Sequence, residues 1–373
     1  MHITYIANSR IPTERANGIQ VVHTCEALAN DGMTVELVVP RRLNSLKEDP
    51  YGYYGVQKNF SIRKVPSLDL VWFGKIGFFI QEWTFLVSVF FFLLLSHREG
   101  VIYVRGERLA RGIIRVVPKR RVFLESHMVP KDFGTYEEAF KKAAGIIVIT
   151  KYYENELRAK GLKNVLYAPD GVTISSFDIA LSKKEAREKL GLPFSKKIAI
   201  YAGHLYAWKG ADVLANAARL LPENTVVVFV GGSPEDMAPF KKKYDNDPRI
   251  LIVGQRPYKE IPLYLKAADV LVLPNTAKET VSRHYTSPVK LFEYMASGRP
   301  IIASDLPSIR DVLNEKNAVL VPPDNPEAFA GAIIDLLNNH THAEAIATMA
   351  LRDVQQYSWS NRARSIINFI TKV

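Results

Sequence analysis

Glu293 is a carboxylate in apolar company. It sits in the stretch Ser287 to Ala303, SPVKLFEYMASGRPIIA. Helical spacing places it beside Val289 and near Phe292 and Ala296, and a carboxylate buried there needs partners. Ser287 is expected to cap the helix through its hydroxyl, with Pro288 in the first helical position. Gly298 is expected to end it in the left-handed conformation. Pro300 blocks continuation, and Ile301 to Ala303 reads as a buried strand. The start of such a helix favours an anion, and a vicinal diol such as a ribose would give Glu293 two donors. On these residues alone an ordinary capped helix with a structural glutamate accounts equally well.

Other chemistry-bearing residues fall where strands end. Gly203-His204-Leu205 follows a predicted strand, and Lys209-Gly210 precedes the next helix. A lysine in that position is a phosphate-site candidate. Gly231-Gly232-Ser233 and Gly254-Gln255-Arg256-Pro257 are two more loops on that rim. Ser126-His127-Met128 ends a strand of the first half, where a histidine can hydrogen-bond a ligand, shuttle a proton or simply satisfy loop carbonyls. Asn8 to Gly18 reads as a loop at the carboxyl end of the first strand, the position where open α/β sheets bind ligands, with Asn17-Gly18 allowing close backbone approach. Asp245-Asn246-Asp247 spells a pattern used elsewhere for metals, but it reads here as a turn at the opposite edge, and no metal is inferred. Arg108, Arg111 and Arg115 share one face of a helix predicted from Glu107 to Val117, extended by Lys119, Arg120 and Arg121. That face suits anionic headgroups or solvent, and no aromatic-rich motif or zinc finger beside it points to nucleic acid.

These residues need two alternating α/β halves to position them. Strands are expected at His2–Ala7, Val35–Val39, Val101–Val104, Val122–Glu125, Ile146–Thr150 and Val165–Ala168. A second series runs Ile198–Ala202, Val226–Val230, Ile250–Val253, Val270–Leu273 and Ile301–Ala303. Their continuous apolar runs suit parallel sheets covered on both faces. Helices are predicted at about Ile19–Asn30, Lys183–Leu190 and Trp359–Ile370. Ile76 to Leu95 is the most apolar segment. Its uncharged part, Trp83–Leu95, is shorter than the about 20 residues of a membrane span, so a buried crossover helix is expected. Arg41 to Leu70 reads as irregular. A length of 373 residues suits two domains. The single cysteine, Cys25, excludes an intramolecular disulfide and a cysteine zinc cluster. Residues 1–170 hold 24 basic and 17 acidic side chains, and the remainder 25 and 21, so the net +11 leans toward the first half. Met1 to Arg10 has no signal-peptide pattern.

Taken in order and spacing, Asn17-Gly18-Ile19-Gln20, His127, Pro169-Asp170-Gly171-Val172, Gly203 to Gly210, Gly254 to Pro257 and Glu293 to Pro300 resemble the retaining glycosyltransferases of family 4. The resemblance covers nearly the whole chain. It implies the GT-B fold: two Rossmann-like domains with parallel sheets facing a central cleft, here 1–170 plus a closing helix 357–373, and 171–356. It implies transfer of a sugar from a nucleoside-diphosphate sugar to an acceptor hydroxyl with retention, without metal or cofactor beyond the nucleotide-sugar co-substrate. Lys209 would hold the diphosphate. Glu293 matches the second glutamate of the family's pair, on the ribose. Backbone N–H groups near Pro288, Val289 and Lys290 would bind phosphate or sugar. Gly18 would touch the donor, His127 would contact its sugar, and Gln255 and Arg256 would face the base. Two departures stand out. Tyr285 occupies the place of the first glutamate, so its work would pass to Thr286, Ser287 or backbone. His204 stands where the family often has arginine.

The reaction expected belongs to cell-surface polysaccharide or glycolipid assembly, with a glycan or lipid-linked acceptor. The enzyme would be cytoplasmic, touching the inner face of an anionic membrane through Arg108, Arg111 and Arg115. The rival within the fold is a nucleotide-sugar 2-epimerase. A dehydrogenase would want G-x-G-x-x-G after the first strand, which the loops after Ala7 and Ala202 lack. A non-catalytic nucleotide-sugar binder is a third alternative.

Overall fold

Short runs of valine, isoleucine and leucine become parallel strands because both of their faces are covered. A computed structural model describes residues 1–96, 99–117 and 121–373. These divide into two units, Met1–Pro169 with Trp359–Val373, and Asp170–Ser358. Lys119 and Arg120, expected to extend the basic stretch, lie outside the described residues.

The first unit contains β1 (His2–Ala7), β2 (Thr34–Pro40), β3 (Ser61–Val65), β4 (Val101–Arg105), β5 (Val122–Ser126), β6 (Gly145–Val148) and β7 (Val165–Tyr167). They form one parallel sheet in the order β3-β2-β1-β4-β5-β6-β7. Strand order reverses between β1 and β4, and a crevice opens at the carboxyl ends of such a pair. β3 lies inside the stretch expected to be irregular. It is an edge strand, largely exposed, and its sequence SIRKV lacks the apolar run that marks its neighbours.

Two helices of this unit depart from expectation. The first spans Ala16–Asn30, so Asn17 and Gly18 lie in its opening turn rather than in a loop. A Cβ on Gly18 would stand 2.2 Å from the Tyr54 hydroxyl oxygen, so the close approach this glycine permits is to Tyr54. That hydroxyl accepts from the Thr13 amide at 2.7 Å and donates to the Thr13 carbonyl at 3.0 Å, which pins the loop after β1. The apolar segment does form a crossover helix, Gly74–Leu95, but it is not buried. Only Gly77, Gln81, Phe85, Val89 and Leu93 are covered. Their four-residue spacing is a single stripe, whereas the sequence is apolar all round, so residues flanking the stripe such as Leu86 and Val87 are half-buried and others stay exposed: Ile76 at 74%, Trp83 at 59% and Leu95 at 78%. With the preceding turn, Val71–Leu95 is long and apolar enough to cross a membrane by length and composition, although only 22% of its most apolar window is buried.

The helix Trp359–Lys372 belongs to this first unit. Trp359 stacks on His23 with ring centroids 5.7 Å apart, and Phe369 meets Phe123 edge to face.

The second unit contains β8 (Lys197–Ala202), β9 (Thr225–Val230), β10 (Ile250–Gly254), β11 (Val270–Leu273), β12 (Ile301–Ser304) and β13 (Val319–Val321). Their order is β10-β9-β8-β11-β12-β13, again all parallel, with the reversal between β8 and β11. Alternate residues of these strands enter two separate apolar clusters, one on each face. The helix Lys183–Leu190 opens on a capping box between Ser182 and Glu185.

Candidate functional site

In the second unit the loops after β8, β9, β10 and β11 and the start of the helix Val289–Ala296 share the carboxyl edge of the sheet. That helix is buried along its whole length. Its N-cap is Pro288, with no side-chain cap. The Ser287 hydroxyl instead accepts from the Asp170 amide at 3.2 Å, which corrects the expected Ser287 cap and leaves the N–H groups of Val289 and Lys290 without it. Gly298, at φ 65°, is left-handed as expected. Tyr294 locks the helix to the sheet by accepting from the Ala202 amide at 2.7 Å.

Three charged side chains meet at this edge. Glu293 is buried, and burial raises its carboxyl to about 7 against the hydrogen bond from Tyr258 and the nearby Lys290 and Lys209. Burial lowers the Lys209 ammonium to about 8, although Asp236 and Glu293 pull the other way. Lys209 also faces the rings of Trp208 and Tyr206 at 5.3 and 5.6 Å. Lys290 is only 8% exposed. Its Nζ lies 3.8 Å from the centroid of the Tyr201 ring and has no hydrogen-bond partner. Burial and the like charge of Lys209 hold it well below the usual lysine range. The edge therefore gathers two amino groups whose charge burial disfavours and an anion would restore.

Gly210 fixes the turn that carries Lys209. Its φ is 73°, and a Cβ there would stand 1.7 Å from the Pro274 carbonyl oxygen, so the loops after β8 and β11 touch at the switch point. Asn275, just after β11, is fully buried with neither amide atom partnered. Gly203 closes β8, its amide donating to Val230. His204 stacks on Tyr206 at 4.9 Å with Nδ1 3.7 Å from Asp236. Gln255 and Arg256 are exposed after β10, and the Arg256 Nε donates to the Tyr264 hydroxyl at 3.0 Å. Tyr285 ends the turn Val281–Tyr285, followed by buried Thr286. Asp247 is held by Arg249 and Arg219 at the amino end of β10. Among the described residues no group of three acidic, histidine or cysteine side chains could hold a metal ion.

The first unit has its own cluster, at the carboxyl ends of β4 and β5. Glu125, fully buried, accepts from Tyr103 at 2.6 Å, Tyr5 at 3.2 Å, His127 Nε2 at 2.8 Å, Arg362 at 3.1 Å and also Gln20. Burial opposes its ionisation, but Arg362 and then His127 hold the carboxyl well below the usual range. With Nε2–H donating to Glu125, the other ring nitrogen of His127 is the acceptor for Arg105, at 3.4 Å. That contact is at the long limit of a hydrogen bond, so Nδ1 is the atom a ligand hydroxyl can claim. Burial, then Arg105, push the imidazole down to about 4, although a quarter of the side chain still meets solvent. Asn17 donates to Ser9 at 3.1 Å beside this edge.

Tyr258, Asn275, the Lys290 side chain and Glu125 escape the sequence reading. A signal existed for Glu125, an acid inside the apolar strand VFLES two residues before His127. None existed for Arg362, which reaches it across 237 positions.

Residues 196–339 match the family model described as glycosyl transferases group 1. This match covers most of the second unit, which therefore carries a glycosyl transferases group 1 domain. Among its relatives, the putative teichuronic acid biosynthesis glycosyltransferase TuaC of Bacillus subtilis is 29% identical over 202 residues, 52% of this chain and 48% of that protein. A D-inositol 3-phosphate glycosyltransferase of Xylanimonas cellulosilytica is 25% identical over 277 residues, 71% of this chain and 63% of its own length. The chain thus spans less than two thirds of either relative. The fold is GT-B. Sucrose-phosphate synthase of Thermosynechococcus elongatus superposes with a TM-score of 0.79 at 19% identity, over 100% of this chain and 98% of that one. Anabaena Alr3699/HepE in complex with UDP-glucose does so at 0.76 and 15%, over 100% of both chains.

Proposed function

We propose that the chain is a group 1 glycosyltransferase that moves a sugar from a nucleoside-diphosphate sugar to an acceptor hydroxyl, with retention of anomeric configuration. The observation that carries the reading is the edge where Lys209, Lys290 and Glu293 meet beside an uncapped helix start. The anomeric carbon–oxygen bond breaks with its electron pair going to the diphosphate. The acceptor oxygen forms the new bond and passes its proton to the departing diphosphate oxygen. Positive charge preorganised at the leaving group lowers that barrier. Lys209 and Lys290 supply it, with the N–H groups of Val289 and Lys290. Glu293 takes the ribose hydroxyls, Tyr258 orients Glu293, and Gln255 and Arg256 lie toward the base. Thr286 and Ser287 stand in for the missing acid at Tyr285. In the first unit, His127 Nδ1 is the acceptor offered to a sugar hydroxyl.

The HepE structure that superposes on this chain holds UDP-glucose, which supports a nucleotide-sugar donor. WaaG, similar at a TM-score of 0.72, is a glycosyltransferase involved in lipopolysaccharide biosynthesis, and TuaC carries teichuronic acid biosynthesis in its name. Both support polysaccharide or glycolipid assembly. Incubation with a panel of nucleotide sugars and a polyprenyl-linked acceptor pool, read by mass spectrometry, should give one glycosylated product. Isomerisation of donor alone would point to the 2-epimerase instead, and absence of any turnover with intact donor binding would point to a binder.

A further inference from the structure

Between the helix Gly74–Leu95 and the helix Glu107–Val116 lies a cavity of about 380 Å³. One wall is apolar, from Phe79, Trp83 and Leu86. The other carries Arg108, Arg111 and Arg115. Two of these arginines are neutralised within the unit. Arg108 pairs with Glu82 and reaches the Tyr136 hydroxyl, and Arg115 pairs with Glu138. Arg111 differs. Its Nε is shielded from solvent and has no hydrogen-bond partner, and the exposed Asp132 senses its charge without bonding it. A shielded, unmatched guanidinium N–H is costly unless an anion completes it.

The position of the cavity adds to this. The apolar helix leads into β4 and the arginine helix leaves it, so the starts of both lie at the carboxyl edge of the sheet. Gln81 donates to Asn8, in the loop after β1, at 3.0 Å, which ties the apolar helix to the edge that carries His127. Trp72, Phe73 and Ile76, at the start of the same apolar segment, are also exposed. Tryptophans on such a surface suit the boundary between headgroups and acyl chains.

We propose that this groove seats a single membrane lipid with a phosphate headgroup, the phosphate on Arg111 and the chain along the exposed face of Gly74–Leu95. The proposal rests on the glycosyltransferase reading and gives its acceptor side a chemical class, an anionic phospholipid or lipid-linked phosphate. Charge favours this occupant over a second copy of the chain, because an isologous contact would bring a second unmatched Arg111 to the groove and no anion to complete either.

The test is flotation of the full chain with phosphatidylcholine vesicles, with and without phosphatidylglycerol, alongside quenching of tryptophan fluorescence by brominated acyl chains. UDP and GDP binding is measured on each preparation, so that loss of nucleotide binding, which would break the donor reading, is seen separately. The proposal expects anionic vesicles alone to bind, quenching that falls in Trp83→Phe, and partition lowered about fivefold in Arg111→Gln, the weight of one basic residue at an anionic surface. Arg111→Lys should restore most of it, and inorganic phosphate should not compete. Equal binding to neutral vesicles, unchanged partition in Arg111→Gln, or a two-copy particle that shields Trp83 and ignores vesicles would each overturn it. If Arg111→Gln fails to fold, Trp83→Phe and Arg111→Lys decide the matter.

Discussion

A lysine ammonium buried without a hydrogen-bond partner destabilises the protein that carries it, and Lys290 is such a group. Lys290→Met should therefore raise the melting temperature of the empty protein while weakening UDP or GDP at least tenfold and leaving the free nucleoside unaffected. Scanning calorimetry and titration calorimetry read the two effects, and movement of both in the same direction would contradict this role. Glu293 gives a pH signature. Below its ordinary value of 4.5 folded and unfolded carboxyls are both protonated. From there up to about 7 the unfolded chain ionises first, so the folded state holds the extra proton and this group's contribution to stability falls as pH rises. Ribose hydroxyls donate to the ionised form, so affinity for the nucleoside, which makes no call on Lys209 or Lys290, should increase between about pH 6 and pH 8. Glu293→Gln should flatten that rise and weaken binding by about 1–3 kcal/mol. A slope that survives in the variant would assign it to another group.

At the scale of elements, legibility followed local chemistry. The helix Lys183–Leu190 was readable to the residue because its capping box is written within four positions. The inner strands were readable because burial on both faces demands continuous apolar runs. β3 was not, since an exposed edge strand need not be apolar. The helix at Val289 starts later than its sequence suggests, because the Ser287 hydroxyl is drawn to an amide 117 positions away. Burial of Gly74–Leu95 could not be inferred either: an all-apolar sequence says that a helix can be buried, and only the packing shows that one stripe is. Of the site, Lys209 and Glu293 carried signals in spacing and company, whereas the meeting of Lys290 with Tyr201 is purely tertiary. Gly18 gives this scale its test. A methyl group there collides with Tyr54 and Thr13, so Gly18→Ala should lower the melting temperature and loosen the loop after β1. It should cost about 1–3 kcal/mol, as overpacking does. Unchanged protection of the Thr13 amide in hydrogen exchange would contradict this.

For the whole molecule, each unit places its chemistry at the carboxyl edge of its sheet, and each does so around a buried carboxylate. In the first unit Arg362 brings the end of the chain to Glu125 and also donates to the Pro169 carbonyl at 3.1 Å. Removing one partner of a buried pair costs about 3–5 kcal/mol. Arg362→Met should do so, and the added Glu125→Gln should recover part of the loss in urea titrations. A purely additive double variant would show that the pair is not coupled. In the second unit the account rests on a diphosphate between Lys209, Lys290 and Glu293. The most direct measurement is calorimetric titration of nucleoside diphosphates against their nucleosides, in the parent and in Lys209→Ala with Lys290→Met. The account predicts that the parent prefers one diphosphate over its nucleoside by at least a hundredfold and that the double variant loses most of that preference while still folding. Equal affinity for nucleoside and diphosphate in the parent, or a preference that survives the loss of both lysines, would contradict it.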